Sequence, residues 1–438
     1  MNELLKPGQS IRTDKGDTCQ VEKFLGGGGQ GEVYRVNWQG KPYALKWYFE
    51  HTATSGQLNN LRILVDKGVP NPRFLWPLEI VTQAGLPGYG YLMSLRESNY
   101  TGIIDLMKSR VEPSFRALAT AGFQLADCYL QLHSRGFCYC DISFGNVFWN
   151  PTTGDVLICD NDNVIVNGQK PEIGGTMGFM APEVTTGAAT PSIDTDKHSL
   201  AVLLFYMFMV HNPLEGMRES AIRSFDMPGK VKVYGHEPIF IFDPNDHSNR
   251  PDPRYHKPVL NLWPIYPQFL RNLFTKAFTI GLKDARHGRV TETEWKATMV
   301  KLQDSILYCG QCQCENFYDA EAIQAANGTA PKCWGCKQSV ILPFRIRIGK
   351  SVTMLNYDTK LFPHHVNDNL RFDFTAPVAE VTRHPQDHSK WGLRNLSPEK
   401  WVLTASDGTV RDVESGRAAP LMNGSRINFG GTEGEIRF

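Results

Sequence analysis

Residues 139–146 read Tyr-Cys-Asp-Ile-Ser-Phe-Gly-Asn, which places the carboxylate of Asp141 five residues before the amide of Asn146. In-line transfer of a phosphoryl group needs a base near the attacking hydroxyl and an oxygen ligand for a magnesium ion. Asp141 and Asn146 are candidates for these two roles. A second acid, Asp160, follows fourteen residues after Asn146, behind the apolar run 156–158. Its position predicts a further ligand for the magnesium ion, which would bridge the phosphates of the phosphoryl donor.

A glycine-rich segment, residues 25–33, reads Leu-Gly-Gly-Gly-Gly-Gln-Gly-Glu-Val and lies between two strand-like runs. Gly26, Gly28, Gly31 and Val33 fit the pattern G-x-G-x-x-G-x-V. Because glycine has no Cβ, backbone amides in such a loop can approach a phosphate chain closely. A turn without a ligand is the alternative. A dinucleotide-binding motif fits less well, because a strand and not a helix follows.

Lys46 lies thirteen residues after Val33, in the sequence Tyr-Ala-Leu-Lys on the next predicted strand. An ammonium group there can reach the α- and β-phosphates of a nucleotide under the glycine loop. The alternative is an exposed lysine on a strand. Further elements follow in the order Gly175-Thr176, Ala181-Pro182-Glu183, Asp196 and Arg289. Among these elements, we predict a buried ion pair between Glu183 and Arg289.

The order of these elements resembles that of the protein kinase family over residues 20–306. The resemblance implies a two-lobed kinase fold, ATP and Mg²⁺ as cofactors, and phosphate transfer to serine or threonine of a protein substrate. Asp141 would be the catalytic acid–base residue. The remaining implied site residues are Gly26, Gly28, Gly31, Val33 and Lys46 for ATP, with Lys46 also catalytic, and Asn146 and Asp160 for magnesium.

The helix predicted at 57–67 departs from the kinase pattern. Kinases usually offer a glutamate from this helix to pair with the lysine, but the segment begins Gln-Leu-Asn-Asn-Leu-Arg-Ile-Leu and holds no acid there. Gln57 or Asn60 could only form a hydrogen bond with the ammonium group of Lys46. We therefore expect Lys46 to be held less firmly than the corresponding lysine of other kinases.

Two further positions depart from the family. Asn161 and Asp162 stand where phenylalanine and glycine usually follow the metal-binding aspartate. Asp160 and Asp162 are therefore alternative metal ligands, and the spacing favours Asp160. Ser143 replaces the lysine that usually lies two residues after the catalytic aspartate, which removes one positive charge near the transferred phosphoryl group. Slow or selective catalysis is the expected consequence.

Five of the ten cysteines crowd one short segment near residue 320. Cys309, Cys312, Cys333 and Cys336 give the spacing C-x2-C-x20-C-x2-C, in which two tight turns present four thiolates to a tetrahedral zinc ion. Free buried thiols are the alternative, and Cys314 could replace Cys312. Four protein ligands close the site, so the predicted Zn²⁺ is structural and not catalytic.

Residues 344–438 alternate short apolar runs with Gly, Asn and Asp turns, which is typical of an all-β domain. The segment resembles a forkhead-associated β-sandwich, whose loops bind phosphothreonine. Arg383-His384 and Asn423-Gly424 lie at predicted turns. Phosphopeptide binding is one interpretation of these residues, and general docking of proteins is the other.

The composition excludes several function classes. Lys and Arg total 46 against 45 Asp and Glu, so the chain as a whole has no attraction to nucleic acid or anionic membranes. Few basic residues surround the cysteines, which also argues against nucleic-acid binding by the zinc segment. The start of the chain has no apolar leader, and the longest apolar run, residues 200–210, is too short to span a bilayer. We expect a soluble, cytoplasmic protein.

These observations predict an α+β chain with a two-lobed kinase fold, a small zinc ribbon and an all-β, sandwich-like domain. The helices expected in the larger lobe are 115–133, 196–210 and 267–278. The Pro- and Asn-rich insertion 236–266 is expected to pack over that lobe. The predicted domains are 1–97 for the N-lobe, 98–306 for the C-lobe, 307–343 for the zinc ribbon and 344–438 for the β domain.

This domain order resembles bacterial serine/threonine kinases of tellurite- and stress-response phosphorylation systems. The resemblance implies a cognate phosphatase and a metal-binding adhesion-type domain protein as partners. The alternative is a pseudokinase scaffold that binds nucleotide and recruits partners through its zinc and β domains. The missing helix glutamate favours the scaffold, whereas the retained Lys46, Asp141, Asn146 and Asp160 favour the enzyme.

Overall fold

The structure is a computed structural model that describes residues 4–171 and 174–438. The chain folds as two compact units. The first comprises the chain up to Trp263 with Asn272–Lys296, and the second comprises Pro264–Arg271 with Ala297–Phe438.

The first unit begins with six antiparallel strands. They are β1 (Ser10–Thr13), β2 (Thr18–Gly27), β3 (Gly31–Trp38), β4 (Lys41–Tyr48), β5 (Glu79–Thr82) and β6 (Gly90–Ser94). The strands pair in the order β1-β2-β3-β4-β6-β5, and β1 closes the sheet by pairing with β5. The sequence gives little signal for strand β1, because its segment Ser-Ile-Arg-Thr carries a single apolar residue.

Helix α1 (Ser55–Lys67) lies between β4 and β5 in the chain. The hydroxyl of Thr54 accepts the N–H of Gln57 at 3.0 Å and so caps the first turn. Leu61 and Leu64, one turn apart, are buried and fix the inner face of the helix. The helix ends at Gly68, whose φ of 71° ordinary side chains rarely adopt.

The rest of the first unit is mainly helical, and the helices predicted at 115–133, 196–210 and 267–278 correspond to α3, α5 and α9 below. The helices of this part of the chain are α2 (Ile103–Met107), α3 (Phe115–Ser134), α4 (Pro182–Thr185), α5 (Ile193–Met209), α6 (Met217–Ser220), α7 (Met227–Val231), α8 (Lys257–Leu262), α9 (Gln268–Phe278), α10 (Ile280–Lys283) and α11 (Glu292–Asp304). The first turn of α9 and the C-terminal half of α11 belong to the second unit. The short strands between them are β7 (Thr101–Gly102), β8 (Phe137–Cys138), β9 (Val147–Trp149), β10 (Val156–Ile158) and β11 (Ile165–Val166). Within the described ranges, no helix combines the length and apolar character that a bilayer crossing requires.

The insertion at 236–266 packs as expected over the helical part of the chain, and Phe240 is one of its buried anchors. Phe240 is fully buried, and its ring lies 5.7 Å from that of Phe205 on α5 and 5.3 Å from that of Phe278 on α9. Asn249 is buried in the same segment and donates its amide to the carbonyls of Leu214 and Ile239. The loop therefore satisfies its buried polar groups while covering apolar surface.

The second unit contains the cysteine segment and a strand-rich region. Its elements are β12 (Ile306–Tyr308), β13 (Glu315–Phe317), α12 (Ala320–Ala325), β14 (Arg345–Ile348), β15 (Ser351–Met354), β16 (Lys360–Leu361), α13 (Pro363–Val366), β17 (Ala379–Arg383), β18 (Trp391–Asn395), β19 (Trp401–Thr404), β20 (Val410–Val413), β21 (Ala418–Pro420), β22 (Arg426–Asn428) and β23 (Glu433–Arg437). Strands β12 and β13 form a hairpin. The remaining strands form two antiparallel sheets, in the orders β15-β14-β23-β22-β19-β20 and β16-β17-β18-β21.

One apolar core joins the two sheets of the second unit. Trp401 of β19 and Ile436 of β23 come from the six-stranded sheet, and Leu361 of β16 and Leu393 of β18 come from the four-stranded sheet. These side chains are almost completely buried in a single cluster. Alternation along each strand places them on the inner faces, as expected for strands with one buried side.

Candidate active site and metal site

Asp141 and Asn146 form one hydrogen-bonded unit. A single 3-10 turn, Phe144–Asn146, brings the Asn146 side chain back toward Asp141. Its Nδ2 donates to Asp141 Oδ2 at 3.0 Å and to the Asp141 carbonyl at 2.9 Å. The amide nitrogen is thereby used within the loop, which leaves the amide oxygen of Asn146 as the atom that can face a cation.

Asp196, at the start of α5, supports the backbone just before Asp141. Its carboxylate accepts the N–H of Tyr139 at 2.5 Å and the N–H of Cys140 at 3.1 Å. Cys140 has a φ of 71°, a conformation that costs about 1–3 kcal/mol for a residue other than glycine. His133 contacts the same carboxylate at 3.1 Å. These buried bonds hold the strained turn that aims Asp141.

The hairpin of β9 and β10 brings Asp160 beside this loop. Strand β9 starts directly after Asn146, and β10 ends directly before Cys159, whose N–H donates to the Asn146 carbonyl at 3.0 Å. Asp160 is the next residue, has a φ of 50°, and keeps 48% of its side chain exposed. An exposed carboxylate next to an amide oxygen is the hard oxygen donor set that Mg²⁺ prefers, so these residues fit the predicted ion.

Lys46 is almost fully buried and faces the same acidic segment. Its Nζ lies 3.6 Å from Asp160 Oδ1, 2.8 Å from Asp162 Oδ2 and 3.0 Å from Gln30 Oε1. Burial lowers the pKa of Lys46, but the charges of Asp162 and Asp160 outweigh it and raise the pKa above its usual range. The lysine is therefore a fixed cation, not a mobile surface group.

The glycine-rich segment is the hairpin between β2 and β3, and β3 lies beside β4, the strand that carries Lys46. Gly26 pairs with Val33 across the hairpin, and Val33 pairs with Lys46 on β4. At Gly31, a Cβ atom would lie 2.1 Å from the carbonyl oxygen of Trp47, so only glycine permits this close approach. At Gly28, a Cβ atom would meet nothing within 4 Å, and the Gly28 N–H donates to the Gly31 carbonyl at 2.9 Å and so closes the hairpin.

Asp162 is a site residue that sequence analysis considered only as an alternative metal ligand. It is fully buried, and its Oδ2 accepts hydrogen bonds from Lys46 and from the hydroxyl of Tyr48. Gln57 Nε2 donates to the Tyr48 hydroxyl, and Asn60 Nδ2 donates to the carbonyls of Asp162 and Val164. The ammonium group of Lys46 therefore has Asp162 as its partner, where Gln57 or Asn60 had been the candidates. That Lys46 is held less firmly than the corresponding lysine of other kinases stays a prediction.

Asp141 sits in a pocket that favours its role as a base. Burial raises the pKa of Asp141, and hydrogen bonds from Thr176 and Asn146 partly offset that increase. The Thr176 hydroxyl donates to Asp141 Oδ1 at 2.6 Å, while Asn146 binds Oδ2. Both carboxylate oxygens are thus fixed in space, and the raised pKa makes the group a better proton acceptor than an ordinary aspartate.

The predicted ion pair between Glu183 and Arg289 is present. Arg289 Nη2 lies 2.6 Å and 2.8 Å from the two carboxylate oxygens of Glu183, and the guanidinium is almost completely buried. Arg289 Nη1 also donates to the Asp194 carbonyl at the start of α5. Through its two terminal nitrogens Arg289 therefore connects α4 to α5, and so anchors the segment that follows Thr176.

A comparison with known protein families finds a match for the part of the chain that carries Asp141, Asn146 and Asp160. Residues 94–255 match the family model described as "Protein kinase domain". The chain has a protein kinase domain. The matched residues include Asp141, Asn146 and Asp160 but start beyond Lys46 and the glycine-rich hairpin. No curated protein matches the chain.

Thr176 gives the kinase domain a testable pH dependence. The hydrogen bond from its hydroxyl lowers the pKa of Asp141, so Thr176→Val should raise that pKa further. A base works only when deprotonated, and the acid limb of kcat should therefore move to higher pH. Thr176→Ser keeps the hydroxyl and is the matched control. Profiles of kcat against pH that coincide for valine and serine variants would contradict this role.

The second candidate site is the group of four cysteines in the second unit. The sulfur atoms of Cys309, Cys312, Cys333 and Cys336 all lie within 4.8 Å of one another. Two of the separations, Cys309 to Cys336 and Cys312 to Cys333, are 3.6 Å. A tetrahedral site with Zn–S bonds of about 2.3 Å places its sulfurs about 3.8 Å apart. The donor set therefore fits zinc, and Cys314 lies outside the group.

The two Cys-x2-Cys segments form the same tight turn. The N–H of Gln313 donates to the Cys309 carbonyl at 2.9 Å, and the N–H of Lys337 donates to the Cys333 carbonyl at 2.9 Å. Gln313 and Lys337 both have positive φ, 63° and 61°. Burial raises the pKa of Cys333, but hydrogen bonds from the Cys336 and Gly335 backbone and from Asn316 lower it below its usual range. A thiolate there is ready to bind metal.

The predicted phosphopeptide loops make local contacts in the β domain. The Arg383 guanidinium lies 4.6 Å from the centre of the Trp391 ring, on the neighbouring strand. His384 Nδ1 accepts the backbone N–H groups of Gln386 and Asp387 within its own turn. Asn423 Oδ1 accepts the N–H of Phe438. Phosphothreonine binding by these loops stays a prediction.

Proposed function

We propose that the chain is a serine/threonine protein kinase that transfers the γ-phosphoryl group of ATP to a hydroxyl of a partner protein. The observation that carries the proposal is the convergence of Asp141, Asn146 and Asp160 in one site. Hydrogen bonds link the first to the second, and the β9–β10 hairpin brings the third alongside. The ammonium group of Lys46 supplies a positive charge to the site, with its Nζ 3.6 Å from Asp160 Oδ1.

Each of these groups has one role in the proposed reaction. The carboxylate of Asp141 orients the acceptor hydroxyl and takes its proton as the oxygen attacks. Asn146 and Asp160 would hold Mg²⁺, which supplies positive charge against the phosphate oxygens when bound. Lys46 holds the α- and β-phosphates, and the backbone amides near Gly28 cover them. Lys46 is buried and Asp141 is half-buried, and hydrogen bonds fix both side chains, so little reorganisation is needed during transfer.

Serine or threonine as acceptor follows from the resemblance to serine/threonine kinases, as does a role in bacterial stress signalling. The same resemblance implies a cognate phosphatase and a metal-binding adhesion-type domain protein as partners, and these stay predictions. The positioning of Asp141 favours the enzyme over the scaffold alternative, because nucleotide binding alone does not require a base whose two carboxylate oxygens are both held by hydrogen bonds.

Transfer of labelled phosphate tests the proposal. The full chain is incubated with γ-labelled ATP and Mg²⁺ and a degenerate peptide pool with serine, threonine or tyrosine as the acceptor, and the phosphorylated residues are identified. We expect label on serine or threonine. Label on tyrosine alone would contradict the acceptor class. A chain that binds ATP but labels neither peptides nor itself would instead be a scaffold.

A further inference from the structure

Lys46 takes its charge partner from an unusual place in the chain. Helix α1 has no acid in the position from which kinases usually pair this lysine. Asp162 instead contacts the ammonium group at 2.8 Å, across 116 residues of sequence. Its side chain is completely shielded from solvent, whereas that of Asp160 is half exposed. A buried carboxylate holds a cation far more firmly than an exposed one, because water does not screen the pair.

We propose that Asp162 is the positioning residue of Lys46, and that it replaces the glutamate absent from α1. The inference rests on the proposed function, since it concerns the lysine that binds the nucleotide phosphates. Asp162 does not touch the reacting atoms in this account. It holds the ammonium group at the place where the phosphates of ATP can reach it.

The sequence of α1 is matched to this arrangement. Gln57 Nε2 lies 3.5 Å from Asp162 Oδ2 and donates to the Tyr48 hydroxyl, which itself donates to the same carboxylate oxygen. Asn60 donates to the Asp162 carbonyl at 3.3 Å. The helix therefore presents neutral donors to a carboxylate that is already in place. A glutamate at position 57 would put a second negative charge beside Asp162, which is unfavourable in a buried site.

The arrangement also couples two parts of the site. Asp162 lies in the 3-10 turn Asn161–Asn163, which begins immediately after Asp160. One short segment therefore provides both the candidate magnesium ligand and the anchor of Lys46. In this chain, a shift of that turn would displace the metal ligand and the lysine together. Helix α1 contributes through hydrogen bonds and carries no charge to the pair.

Moving the carboxylate back to α1 tests the inference. Asp162→Asn should weaken ATP binding and lower kcat/KM for ATP by about 10- to 100-fold, because a buried charge-assisted bond is lost. Adding Gln57→Glu should restore much of the ATP affinity and of kcat/KM, because the side chain at position 57 reaches to within 3.5 Å of the place that Asp162 Oδ2 occupies. Adding Asn59→Glu instead places the same charge on an exposed position of α1 and should restore nothing. Adenosine, which lacks phosphates, should bind all folded variants equally.

Asp162→Asn with Gln57→Glu and Asp162→Asn with Asn59→Glu test the role of Asp162 even if Asp162→Asn alone folds poorly. Recovery with Gln57→Glu beyond that with Asn59→Glu supports the ion pair. Equal behaviour of the two double variants, or an Asp162→Asn chain with normal ATP affinity, overturns it. Equilibrium binding of ATP needs no phosphate transfer. A wild-type chain that transfers nothing would thus refute the proposed function while the binding comparison still tests the inference.

Discussion

Asp141→Asn is expected to lower kcat by about 10²- to 10⁴-fold, the range over which a positioned acid–base group contributes to catalysis. Asparagine has nearly the same shape and can still bond Thr176 and Asn146, so the loop should keep its conformation. What it loses is the ability to accept the proton of the acceptor hydroxyl. ATP affinity should therefore change little, and the loss should be confined to the transfer step.

Single-turnover transfer and equilibrium binding of ATP separate these quantities for Asp141→Asn. Asp66→Asn, on an exposed position of α1, makes the same chemical change away from the site and should retain full activity. If kcat falls by less than tenfold in Asp141→Asn, Asp141 does not act as the catalytic base. A parallel loss of ATP binding would instead indicate that the loop had moved.

Loss of zinc from the second unit is expected to have the largest effect on folding. Binding of a structural zinc ion is worth about 10–16 kcal/mol of apparent free energy in small modules, more than most whole domains have in stability. Cys333→Ser should therefore abolish zinc binding and unfold the segment around the two turns. Zinc content by mass spectrometry of metals, and proteolysis within residues 309–336, report the two effects.

Cys314→Ser is the matched control for the zinc prediction, because Cys314 belongs to the same segment but lies outside the group of four. The wild type and this control should each hold one zinc ion per chain and resist the protease equally. If Cys314→Ser loses as much zinc as Cys333→Ser, the ligand set is wrong. A wild type purified without zinc, and unchanged by a strong chelator, would show that the thiols do not bind it.

Much of the architecture could be predicted from local patterns in the sequence. The long helix α3 and the apolar helix α5 could be predicted from their long stretches rich in apolar residues, and thirteen residues in each are buried. The two turns of the cysteine segment follow from their spacing. The pair of Glu183 and Arg289 could be predicted because both residues sit in recognisable elements. In each case, the prediction depends on residues within one short segment, or on the order of motifs that protein kinases share.

The partner of Lys46 could not be found in this way. Asp162 lies 116 residues from Lys46, and its burial depends on Tyr48 and α1 closing around it. The first turns of α1, residues 57–64, hold no acid that could pair with Lys46, and the sequence therefore led to the expectation that this lysine is held less firmly. The available signal was the second acid two residues after Asp160, but spacing alone cannot distinguish a metal ligand from an anchor. Tertiary packing made that distinction, because it buried one carboxylate and exposed the other.

A crystal structure of the full chain with Mg²⁺ and a non-hydrolysable ATP analogue tests the central claim most directly. We expect the ion to be bound by the amide oxygen of Asn146 and the carboxylate of Asp160, with the terminal phosphate facing Asp141 and Lys46 on the inner phosphates. An ion held away from both Asn146 and Asp160, or a nucleotide bound outside the glycine-rich hairpin, would contradict the account.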